Sequence, residues 1–203
     1  MSLKSFLRGM APLAAIALAA AASGGCDKLD VSLNGEEGKK LADLDLTGTP
    51  PSEVALLGPD TVRIVQGDTL AISVAGDPAA SDAIRFTLKD GTLGILRKGR
   101  KSSDGATATI DVTMPAPRKL VMAGSGKIVS PALAGDSARV TIAGSGDAAF
   151  ASDGTVKANI MGSGEVRVIG RATCKVTAMG SGRLVCEPAA SAEAKPKGAK
   201  PKS

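Results

Sequence analysis

Four cations stand at one position of a repeating pattern. Lys119, Arg139, Lys157 and Lys175 each precede a Gly-Ser-Gly triplet by five residues, so they recur at spacings of 20, 18 and 18 residues. If the copies stack as neighbouring strands, the charges line up about 4.8 Å apart. Such a row suits a linear polyanion whose charges run along it, an acidic envelope polysaccharide for example. Like charges stacked across strands are mildly destabilising, and no other outward column repeats one sign four times, so a purely structural preference would not choose this row. The competing account is a set of solvated side chains that splay, are screened by salt and keep a sheet face soluble.

The cysteines suggest a staple. Cys174 and Cys186 lie six residues before and six after Gly180 and share the inward parity of the pattern. A disulfide between them would close a short loop and stabilise by about 3 kcal/mol in the chain-entropy picture. Two buried free thiols are the alternative. The bridge, followed at once by Glu187-Pro188, would guard a last coil that has no successor.

Other chemistry is missing. The chain has no His, Tyr or Trp, which removes the usual general base, most nucleophile partners and the common transition-metal ligands. The residues that follow the triplets, Lys127, Asp147, Glu165 and Arg183, are of mixed sign instead of supplying calcium ligands. They are expected to pair as Lys127/Asp147 and Glu165/Arg183. We read no catalytic residue, metal site, cofactor or small-molecule substrate. Ser125, Ser145, Ser163 and Ser181 should form a column at one corner, with hydroxyls either satisfying turn backbone or gripping a flat glycan.

The elements that must position these residues are short strands. Apolar residues fall two and four positions before each triplet (Met122/Leu120, Ile142/Val140, Ile160/Ala158, Ala178/Val176), and the alternation resumes after it (Ile128/Ser130, Ala148/Phe150, Val166/Val168, Leu184/Cys186). Period-two alternation means strands with one buried face, and a period of about 18 residues means coil stacked on coil. The glycines supply the positive φ that a tight recurrent corner needs. The fold class is therefore all-β: a β-solenoid, with a hairpin-containing first part. Strands are expected at 61–65, 70–74, 84–88, 93–96 and 107–114, with a turn at Lys89-Asp90-Gly91-Thr92 and a short helix within 39–46.

The ends differ in composition. Lys4 and Arg8 precede an apolar run from Met10 to Ala22, the pattern of a signal peptide and too short to span a bilayer comfortably. Ser23-Gly24-Gly25-Cys26 resembles a lipobox, which implies lipid on Cys26 although Ser23 stands where Leu is expected; cleavage after the alanine run is the alternative. The two cysteines that remain suit an oxidising compartment. We divide the chain into a signal peptide (1–25), a spacer (26–53), a solenoid domain (54–187, repeats 119–187) and a Lys/Ala/Pro tail (188–203) read as disordered. The formal net charge of +5 belongs to the first and last segments, and the body between them is neutral, which gives nucleic-acid binding no support.

The order of these pieces resembles the head GIN domain, a bacterial domain labelled as an adhesin. The resemblance rests on Val62-Arg63-Ile64-Val65-Gln66-Gly67, the Asp90-Gly91 turn, a strand ending at Pro115, and the coils Ile142-Ala143-Gly144-Ser145-Gly146-Asp147-Ala148 and Ile160-Met161-Gly162-Ser163-Gly164-Glu165-Val166. It implies a right-handed, single-stranded parallel β-helix exposed in the bacterial envelope, and it implies no reaction. Two functions follow as expectations. One is a non-enzymatic lipoprotein, periplasmic or on the cell surface, held to the membrane by its lipid and binding or adhering through the cation row. The other is a structural or accessory periplasmic lipoprotein without a dedicated ligand, a reading favoured by Asp27, which resembles an inner-membrane retention signal.

Overall fold

A computed structural model describes residues 32–33, 35–98 and 105–189. The signal segment, Cys26 and the tail beyond residue 189 lie outside the described residues. The strands are β1 (Ser32–Leu33), β2 (Glu36–Glu37), β3 (Glu53–Leu57), β4 (Thr61–Gln66), β5 (Ala71–Gly76), β6 (Ile84–Lys89), β7 (Thr92–Arg97), β8 (Ala108–Met114), β9 (Lys119–Gly124), β10 (Lys127–Ser130), β11 (Ser137–Gly144), β12 (Asp147–Ala151), β13 (Thr155–Gly162), β14 (Glu165–Ile169), β15 (Thr173–Met179) and β16 (Arg183–Glu187). One helix, α1 (Pro78–Ala83), joins β5 to β6. In place of the expected helix within 39–46 there is a single 3-10 turn at Leu41–Asp43.

Beside the small β1–β2 hairpin there are two seven-stranded sheets. Sheet I runs β15-β13-β11-β9-β3-β7-β6 and sheet II runs β16-β14-β12-β10-β4-β8-β5. All neighbours are parallel except the last pair of each sheet, β6/β7 and β5/β8, so both sheets are mixed, and neither closes into a barrel. From β9 onward the chain alternates between the sheets, one strand to each per repeat. The order breaks earlier, because β3 and β4 lie between β7/β8 on one side and β9/β10 on the other.

The period-two pattern puts aliphatic side chains between the sheets. In β11 and β13 buried residues alternate with exposed or half-buried ones, and Ile142 pairs in register with Met122 below and Ile160 above. These meet Ile128, Ala148, Phe150, Val166 and Val168 from sheet II in one continuous core. Each large aliphatic side chain buried here contributes about 1.5–3 kcal/mol. A second, smaller cluster lies outside sheet I, where Leu33 packs over Ala55 and Leu96. Part of the stretch read as a spacer is thus docked on the domain. Lys39 also exchanges two 2.8 Å backbone hydrogen bonds with Phe86 along the edge of β6.

The corners rest on backbone contact. Gly124, Gly144 and Gly162 are partners in one register column, with φ between 125° and 128°. A Cβ built on Gly144 would lie 2.3 Å from the carbonyl oxygen of Gly124, so an alanine there must displace backbone as well as adopt an unfavourable φ.

Candidate functional site

The cation row is in register. Lys119 pairs with Arg139, Arg139 with Lys157, and Lys157 with Lys175, across β9, β11, β13 and β15 of sheet I. Below them Glu53 of β3 occupies the same column. Its Oε1 lies 2.9 Å from Lys119 Nζ, so the first cation is neutralised and half-buried. Arg139, Lys157 and Lys175 are exposed and have no ion-pair partner among the described residues. The free strip is three cations long.

Short polar side chains flank it. Ser137, Thr155 and Thr173 form the column two residues before the three free cations, and Thr141, Asn159 and Thr177 the column two residues after. β-Branched Thr is at home on a pleated strand, and it leaves a low surface from which the longer cationic chains project. The strip is bounded at one end by Leu33 and the residues after it, which cover the outer face of β3 and β7, and it stays open at β15. Three like charges this close repel modestly in water, by tenths of a kcal/mol up to about 1 for each directly opposed pair.

The outer face of sheet II behaves differently. Arg63 holds Asp111 through two hydrogen bonds of 2.6 and 2.8 Å. Arg167 lies 3.1 Å from Glu165 and 3.5 Å from Glu187, and Arg183 also pairs with Glu165, as expected from the sequence. The expected Lys127/Asp147 pair does not form, although the two are register partners. Asp147 Oδ1 instead accepts a 3.1 Å hydrogen bond from the Glu165 amide, which occupies the carboxylate locally. Hydrogen bonding to Arg63 holds the Asp111 carboxyl below its ordinary value, and hydrogen bonding to Arg167, with help from Arg183, does the same for Glu165.

A family model described as "Putative auto-transporter adhesin, head GIN domain" matches residues 50–195. The chain belongs to the head GIN domain family. Solved structures similar to this GIN domain include a putative cell adhesion protein from Clostridium sporogenes (15% identity, 71% of this chain and 96% of that one, TM-score 0.49) and a putative adhesin from Parabacteroides merdae (13% identity, 70% and 93%, TM-score 0.36). No curated protein matches the sequence. Among the described residues of the GIN domain, no helix is long and apolar enough to cross a membrane.

The remaining predicted residues of the GIN domain divide into two outcomes. Cys174 and Cys186 form a disulfide, with Cα atoms 6.7 Å apart, and link β15 to β16. Cys186 is exposed despite its inward parity, because β16 is the last strand of sheet II among the described residues. The four triplet serines are exposed, and their hydroxyls make no hydrogen bond to a described residue; the turns are satisfied by backbone bonds such as Ser145 N to Gly124 O and Ser163 N to Gly144 O, both 3.0 Å.

Sequence reasoning missed a fifth corner. Gly58 is preceded by Val54 and Leu56 and followed by Val62 and Ile64 at the same offsets as in the repeats, and it stacks beneath Gly124. Pro59-Asp60 in place of Ser-Gly hid it. One strand lower in sheet I there is no glycine corner at all. Arg97 stands there instead and reaches Asp60 with contacts of 2.7 and 2.6 Å, while Asp60 also accepts from the Ala108 amide at 2.8 Å. Both side chains are nearly inaccessible, at 8% and 1% exposure. The pair and its backbone bonds tie Ala106 and Ala108 to the corner above.

Proposed function

We propose that this GIN domain is an exported, lipid-anchored and non-enzymatic binding module of the bacterial envelope, built as a right-handed single-stranded parallel β-helix. Its ligand in this reading is an anionic polysaccharide laid across the strands of sheet I. The observation that carries the reading is the run of Arg139, Lys157 and Lys175, in register, exposed and unpaired. On sheet II each outward arginine, Arg63, Arg167 and Arg183, is paired with a carboxylate, so the means of neutralising such charges were at hand. Hydroxyls of the flanking Ser and Thr columns would serve sugar hydroxyls at little desolvation cost, and a polymer with one carboxylate per sugar would match one strand per ring. Cys26 supplies the anchor, and residues beyond the docked segment supply the reach.

The test is retention on an immobilised polyuronate at low salt, made with the chain ending at residue 189 so that the lysines of the tail play no part. Retention that disappears in high salt supports the reading. A truncated chain that flows through sinks it and leaves the accessory-lipoprotein reading, for which protection from surface labelling on intact cells is the matching sign.

A further inference from the structure

The two ends of the sheets are finished differently. At the first end, antiparallel β5 and β6, helix α1 and the Lys39 bridge to Phe86 cover the core. At the other end β15 and β16 are the last strands among the described residues, and nothing there covers them. Val176 has the parity of the buried Ala158 beside it, yet it is 50% exposed. Ala178 is exposed and Leu184 only half-buried for the same reason. Thr173 N bonds Gly154 O, and Arg183 N bonds Gly164 O, on the covered side. By the alternation of a parallel ladder, the amide and carbonyl groups of Cys174, Val176, Ala178, Leu184 and Cys186 therefore face the free edge.

We propose that this end is a two-fold interface with a second copy of the chain, pairing β15 with β15 and β16 with β16, both antiparallel. The disulfide sets the two strands at one level, since Cys174 and Cys186 each lie six residues from Gly180. Val176 and Leu184, each four residues from Gly180, then share a level as well. A two-fold axis through that level, perpendicular to both sheets, brings Val176 against Val176 and Leu184 against Leu184 of the second copy and completes an apolar layer that each copy lacks. On the outer faces Lys175 meets Thr177 of the second copy, and Arg183 meets Val185 with Glu187 next to it, so no like charges oppose each other directly. The chain's own tail is a poorer cover. Residues 188–203 hold no apolar side chain larger than Pro, and their four lysines against one glutamate would approach an edge that already carries Lys175 and Arg183. The join also brings the two cation rows end to end, offset by two residues, but it does not depend on what those cations bind.

Sedimentation equilibrium of the oxidised chain tests the pairing. A dimer is expected, and Val176→Glu should abolish it. Thr177→Lys and Thr177→Glu keep the test informative if that variant does not fold, because residue 177 faces outward. The lysine sets two like-charge pairs against Lys175 and should weaken the dimer several-fold, up to about tenfold, while the glutamate should tighten it by a similar factor. A chain that stays monomeric, a dimer indifferent to the sign of residue 177, or a monomer that dimerises only when residues 190–203 are removed would each overturn the proposal, the last by showing the tail to be the cover.

Discussion

The outer faces of sheets I and II are built by the same repeat, in alternating order along one chain, and they treat their arginines and lysines differently. On sheet II the arginines find carboxylates on their own or adjacent strands: Arg63 with Asp111, Arg167 and Arg183 with Glu165. Within the cation column of sheet I one pair forms, Lys119 with Glu53, and the next three positions stay cationic and unpartnered among the described residues. Folding alone does not require the difference, because a parallel ladder accepts a carboxylate at any outward position. The fold leaves this unpaired row unexplained, and the binding role proposed above rests on it.

Removing the shared base of both faces should have the largest effect. Gly144→Val puts a β-branched side chain at φ 128° and against the carbonyl of Gly124. A loss on the order of 3 kcal/mol or more is expected in urea unfolding, with both faces lost together. Asp60→Ala comes next, removing the carboxylate that accepts from Arg97 and from the Ala108 amide; it should cost about 1.5–3 kcal/mol while leaving the sheet I strip chemically intact. Replacing Cys174 and Cys186 together by Ser frees β15 from β16 and should cost about 3 kcal/mol or less, read from the urea midpoint.

Acid should separate the faces more gently. The folded-state values of Asp111 and Glu165 are depressed, so their contribution is complete above the ordinary carboxylate range and is lost as pH falls through the lowered values. With no His in the chain, the melting temperature should be nearly flat from pH 8 to 5 and decline below about pH 4. Asp111→Asn with Glu165→Gln should flatten that decline. A midpoint near pH 6.5 would contradict this assignment. Smallest of all should be the stability change on replacing Arg139, Lys157 and Lys175 by Gln, within about 0.5 kcal/mol and in the stabilising direction, since repulsion is removed and no partner is lost.

How much of this was legible depended on periodicity. The repeats from Lys119 to Glu187 were readable because glycine corners and alternating aliphatics recur, and register, disulfide and cation row all followed from counting. The Asp90-Gly91 hairpin was readable from local turn chemistry, both residues having positive φ. The placing of β3 and β4 between later strands was not, because pairing residues 53–66 with both 92–114 and 119–129 is a non-local choice that leaves no periodic mark. Leu33 was hidden among polar neighbours, and its docking becomes intelligible only with Gly94 beneath it, where a Cβ would meet the leucine at 2.6 Å. Glu53 was missed because the corner it precedes reads Gly-Pro-Asp, although its position, five residues before Gly58, is that of the cations.

The most direct test of the central claim is the affinity of a soluble polyuronate for the chain ending at residue 189, compared with its Arg139→Gln, Lys157→Gln, Lys175→Gln variant at two ionic strengths. The account predicts unchanged folding by circular dichroism, a loss of affinity on the order of tenfold or more, and a shallower salt dependence in the variant. Equal affinity and equal salt dependence in parent and variant would contradict it.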